Sequence, residues 1–169
     1  MKKITFDLCE KALKEVLEIK SEEAQNYAQQ MLQSQPYMLI YLTTAAENNE
    51  IFNNAEIDIL LSLGLTIWKI FYDNYKEIET IPEENIFKYD DENLNFVKSM
   101  ASEDNILQSQ EKLNEYINNY PQSEILKFIF QVLLENCRIS DLRIANLFPL
   151  FIYLKTEIDC FVSAVKSEN

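Results

Sequence analysis

One glycine, Gly64, stands among the 169 residues of this chain. Glycine normally makes up about 7% of a sequence. Hairpin turns usually need it at positive φ, so a sheet-rich fold is hard to build without it. Helix pairs joined by polar loops have no such need. The deficit therefore predicts an all-α protein. It also rules out glycine-rich phosphate loops, since neither the Walker A pattern nor the dinucleotide fingerprint can be written with one glycine.

Histidine is absent altogether. That removes Ser-His-Asp and Cys-His arrangements, the HExxH zinc motif and the common imidazole base. Bundle di-metal sites built on Glu-x-x-His pairs are excluded with them. Cys9, Cys137 and Cys160 are odd in number and far apart in sequence, which suggests neither a disulfide framework nor a zinc ribbon. Each lies in an apolar helical context and reads as a small buried hydrophobe. The chain is therefore expected to be non-enzymatic, with no cofactor and no metal.

The net charge is −13, from 15 basic and 28 acidic residues. Such a balance opposes direct binding to nucleic acid or to an anionic membrane. The first residues, Met1-Lys2-Lys3-Ile4-Thr5-Phe6-Asp7, do not read as a signal peptide. The most apolar stretches, Ile57–Tyr72 and Ile144–Leu154, are interrupted by polar residues or too short to cross a bilayer. A soluble, cytoplasmic protein is expected.

Apolar spacing and caps predict six to seven helices in a bundle or short array. The first region runs from Thr5 to Ser34, with Phe6, Cys9, Leu13, Val16 and Leu17 on one stripe and Ser21 as a second N-cap. Pro36 opens the second helix at its first turn. Asn53 and Glu56 have the form of a capping box, opening a very apolar third helix over 54–75. Residues 77–92 carry seven acids and one lysine, Lys88, and read as an acidic linker. Asp90 or Asp91 then caps a helix from Glu92, Ser102 caps another to Asn119, and one more spans 123–136. Ser140 is expected to cap a last helix over 141–166, kinked at Pro149.

The chain is expected to form one helical domain over 1–169. Its parts 5–75 and 91–166 share a coarse pattern of amphipathic region, proline, apolar helix, Glu-Asn loop and capped apolar helix. Two copies of a three-element unit, joined through 77–92, would account for this; so would chance likeness between helical hairpins. The third and last helices should form the buried centre.

Gly64, Trp68, Tyr72, Tyr75 and Pro149 mark where a pocket or interface would form. The aromatics share one helix, and Gly64 and Pro149 are where helices would bend. Plain core packing explains the same aromatic spacing. The leading expectation for function is a protein–protein interaction module, with a protein partner or self-association through its broad amphipathic faces. One alternative is an acidic inhibitor that mimics nucleic acid toward a basic protein. Another is a small-molecule-binding helical domain.

Overall fold

The structure is a computed structural model and describes residues 1–47, 50–101 and 114–166. It is all-α. The helices are α1 (Phe6–Glu18), α2 (Ser21–Ser34), α3 (Pro36–Ala46), α4 (Asn54–Asn74), α5 (Glu83–Ala101), α6 (Ser123–Ile139) and α7 (Leu147–Ala164). A 3-10 turn, Ile144–Asn146, leads into α7. Residues 114–119 are also helical, whereas Ser102 and the start of its expected helix lie outside the described residues. No described helix is long and apolar enough to cross a membrane.

The first region divides into two helices because Ile19 and Lys20 are extended. Ser21, expected to cap α2, is its first helical residue instead; Lys20 occupies the cap position and makes no side-chain cap bond. Pro36 stands at the first turn of α3, where its missing N–H is one of the unpaired donors anyway. The capping box at α4 forms as its spacing predicts. Asn53 Oδ1 accepts the Glu56 N–H at 2.9 Å, and Glu56 Oε2 accepts the Asn53 N–H at 2.9 Å.

The acidic stretch corrects the expected linker. Residues 83–92 are the first half of α5, and no new helix is capped at Asp90 or Asp91. Ile86 and Asn93 are seven positions apart, two turns of helix, and both are buried. Glu83, Glu84, Asp91 and Glu92 face water, so the acids are the outer face of an amphipathic helix. Of the expected linker, residues 77–82 lie outside any helix. Gln35, itself buried, holds this segment: its Nε2 donates to the Glu79 carbonyl at 3.0 Å and its Oε1 accepts the Ile81 N–H at 2.9 Å. An isolated antiparallel bridge joins Ile78 to Val165 at the end of α7.

The last helix also differs from its expected course. Ser140 closes α6, its Oγ donating to the Asn136 carbonyl at 2.6 Å. Arg143 is extended, and its N–H is given to Glu56 Oε1 at 2.9 Å. α7 therefore starts at Leu147, and Pro149 falls in its first turn. The first four N–H groups of a helix have no helical partner, so a proline there removes no bond and forces no kink.

α4 and α7 pack against each other at the centre, as their apolar sequences predict. Leu60, Leu63, Ile67, Phe71, Leu154, Ile158 and Phe161 are fully buried. Phe71 stacks on Phe161 at 5.0 Å. α1 lies on α4, α5 lies on α7, and α6 packs on both α7 and α1. One hydrophobic cluster extends from Ile4 to Ala164.

Candidate functional site

The residues marked in the sequence as a pocket or interface separate into three places. Gly64 and Trp68 belong to the core. A Cβ on Gly64 would meet Leu42 Cδ1 at 2.6 Å and Glu157 Oε2 at 3.2 Å, so the helices close on this point. Trp68 is 2% exposed; its Nε1 donates to Ser34 Oγ at 3.3 Å, and Tyr27 meets it edge-on. Tyr72 stacks on Trp68 at 4.8 Å but is exposed on its other side. Tyr75 stacks on Phe71, donates its hydroxyl to the Lys2 carbonyl and accepts Gln122 Nε2 at 2.7 Å. Tyr72 and Tyr75 line an open cleft of about 610 Å³ with residues 76–79 and Lys166. Pro149 belongs to another helix, eight residues before Glu157, which is about 12 Å along its axis.

The buried ionisable groups were not legible as sites, and most are bound into the scaffold. Glu56 is fully buried. Burial alone would raise its pKa. Hydrogen bonds from Arg143, from the backbone of Asn53 and Arg143, and from Asn146 outweigh that and hold it at about 2. Lys155 donates to Asn93 Oδ1 at 2.6 Å and Asp159 Oδ2 at 2.7 Å, and lies over the rings of Tyr116 and Tyr120. Tyr120 donates to Asp159 Oδ1 at 2.5 Å. Lys69 bridges Glu15 at 3.0 Å and Asp73 at 2.7 Å. These groups saturate one another, which is how buried charge is tolerated.

Glu157 is the exception. It is fully buried on α7, and neither carboxyl oxygen has a hydrogen-bond partner among the described residues. Burial pushes its pKa well above the usual carboxylate range, which favours the neutral acid over the carboxylate.

The thiols are poor nucleophiles. Burial, with the charge of Glu124, pushes Cys9 up to about 12; burial followed by Asp159 raises Cys160; burial and Glu56 raise Cys137. A reactive cysteine needs the opposite shift. Among the described residues no three His, Cys, Asp or Glu side chains gather in a way that could hold a metal ion.

An apolar groove lies between α1 and α6. Cys9, Ala12 and Val16 bury one side of α1. Its apolar stripe is wider than that. Phe6 and Leu13 are half-buried, and Leu17 is 65% exposed. On α6, Phe128 is buried and Val132, one turn on, is half-buried. Together these side chains floor a groove of about 420 Å³, rimmed by Glu10, Lys14, Glu18, Gln131 and Glu135. Phe6 and Phe128 meet edge-to-face at 5.4 Å at its base. The sequence carried a signal for this groove in the breadth of the α1 stripe, although not in the aromatics of α4.

Comparison with protein-family models, curated proteins and solved structures found no match for this chain.

Proposed function

We propose that this chain is a non-enzymatic interaction module that works by binding another protein through the groove between α1 and α6. The observation that carries the reading is Leu17. It is a large aliphatic side chain, 65% exposed, at the edge of a concave apolar floor already shaped by Phe6, Leu13, Phe128 and Val132. Apolar concave surfaces with a polar rim are where partners dock. A non-catalytic role is supported by the missing histidine and by thiols held in their protonated form. The reading places the protein in the cytoplasm, away from nucleic acid and membranes, as its charge favours.

The test uses the full chain as bait, wild type and Leu17→Glu, in extract of the source cell. A partner retained by wild type and lost by Leu17→Glu supports the reading. No retained partner, or one held equally by both baits, removes it.

A further inference from the structure

We propose that the groove between α1 and α6 accepts the apolar face of a basic amphipathic helix from the partner protein. The inference rests on the protein-binding reading above and specifies its partner.

The walls of the groove are two helices, and that selects the shape of what fits. Leu13 and Leu17 are one turn apart on α1, as Phe128 and Val132 are on α6. From Phe6 to Leu17 the α1 wall is about 16 Å long, or three helical turns. A helix lying along it would place anchors at i, i+3 or i+4, and i+7 on the floor. An extended segment would find no strand edge on these helix walls to pair with any backbone groups it buried.

The rim selects the charge. Glu10 and Glu18 on α1 and Glu135 on α6 stand against one lysine, Lys14, which pairs with Glu18 at 3.9 Å. All three acids are solvent-exposed, and the whole chain carries −13. A partner with lysine or arginine flanking its apolar face is steered in and held at the rim. A second copy of this chain would set acidic rim against acidic rim, which like-charge repulsion disfavours.

The test measures binding of three labelled helical peptides to the full chain at low and high salt. The peptides share a leucine face at i, i+4 and i+7 and carry lysine, glutamine or glutamate on its flanks. The lysine-flanked peptide is expected to bind roughly tenfold more tightly than the glutamine-flanked one at low salt, with the advantage lost at high salt. Glu10→Gln, Glu18→Gln and Glu135→Gln together should remove the same advantage. Leu17→Glu should abolish binding of the lysine- and glutamine-flanked peptides while helical content and thermal stability are kept. Equal binding of the lysine- and glutamine-flanked peptides overturns the charge inference and leaves the protein-binding reading standing. If the lysine-flanked peptide does not bind, or binds Leu17→Glu equally well, the basic-helix inference falls. The retained-partner experiment then decides the broader reading alone. A wild-type dimer that Leu17→Glu dissolves would give the groove to self-association and overturn the proposal.

Discussion

The Glu157 carboxyl is pressed against Gly64, its Oε2 3.2 Å from where a Cβ on residue 64 would stand. The one glycine of the chain and the one unpartnered buried acid among the described residues thus meet where α4 and α7 pack. α4 must be bare at Gly64 to admit both Leu42 and Glu157. The close approach comes at the expense of two carboxyl oxygens stripped of water and given nothing in return.

Replacing Glu157 should therefore stabilise the protein. Glu157→Leu removes two unsatisfied acceptors at similar volume, and a gain of about 1–3 kcal/mol at neutral pH is expected. In a chain of this length each kcal/mol moves the Tm by roughly 2–4 °C. The gain should depend on pH. Because the folded pKa is raised, folding takes up a proton. The wild-type contribution is full below the ordinary value of 4.5 and is lost as pH rises toward the folded pKa. Thermal melts of both proteins from mildly acidic to neutral pH should diverge as pH increases. Parallel curves would show that Glu157 is solvated in solution.

Gly64→Ala tests the other side of the contact. Alanine improves helix propensity by about 1 kcal/mol. Its methyl group would also stand 2.6 Å from Cδ1 of the buried Leu42, which must shift to admit it. Overpacking of this kind costs about 1–3 kcal/mol, so a net loss near 1 kcal/mol is expected. In a Leu42→Ala background the same substitution should become neutral or stabilising, because the methyl group enters space left by the leucine. A double-mutant cycle in urea measures this coupling. Additive effects would mean that residues 42 and 64 do not compete for space.

Glu56 should control acid stability in the opposite sense to Glu157. Its carboxyl is held at about 2 in the folded state, against an ordinary value of 4.5. Its contribution is present above 4.5 and is lost as pH falls toward 2. Glu56→Gln keeps the shape, loses the charge-assisted bonds from Arg143, and should cost roughly 2 kcal/mol at neutral pH. The deficit should shrink as pH is lowered and wild-type Glu56 takes up its own proton. A constant deficit across that range would show that the charge contributes nothing beyond its shape.

These residues also show how far the sequence could be read. The capping box at Asn53 and Glu56 was visible because its partners are three positions apart. Arg143, the second partner of Glu56, lies 87 positions away, and no local pattern announces it. Residues 83–92 look like a linker in sequence for a physical reason: acids on the wet face of a helix and acids in a linker have the same composition. The deciding signal was the burial of Ile86 and Asn93 two turns apart. The place of Pro149 is not legible in the sequence, because α7 starts only after Arg143 turns toward Glu56, a tertiary contact. Gly64 and Trp68, expected at a pocket or interface, lie at close packing in the core. The groove was written in the width of the α1 stripe, whereas which leucines stay uncovered depends on where α6 lands.

The cysteines should differ in reactivity. Cys9 and Cys160 are fully buried, and Cys137 is half-buried near the end of α6. Burial favours the unreactive thiol at all three, most strongly at Cys9 and Cys160. A maleimide applied to the native protein should label Cys137 first, with the other two protected until denaturant is added. Peptide mapping by mass spectrometry resolves the order. Equal rates at all three sites would mean that the core opens as a whole on the labelling timescale.

The two walls of the groove should contribute unequally to stability. Phe128 is 2% exposed and meets Phe6 edge-on, so Phe128→Ala leaves a cavity in the core and should cost about 3–5 kcal/mol. Leu17 is 65% exposed and can lose little on truncation; Leu17→Ala should change stability by no more than about 0.5 kcal/mol. Urea unfolding of both variants gives the two values directly. The contrast matters because a residue kept for packing shows its contribution in folding, whereas one kept for a partner shows it only on binding. A cost at Leu17 approaching that at Phe128 would mean that the leucine is covered in solution, and the groove would then not be open to receive a helix.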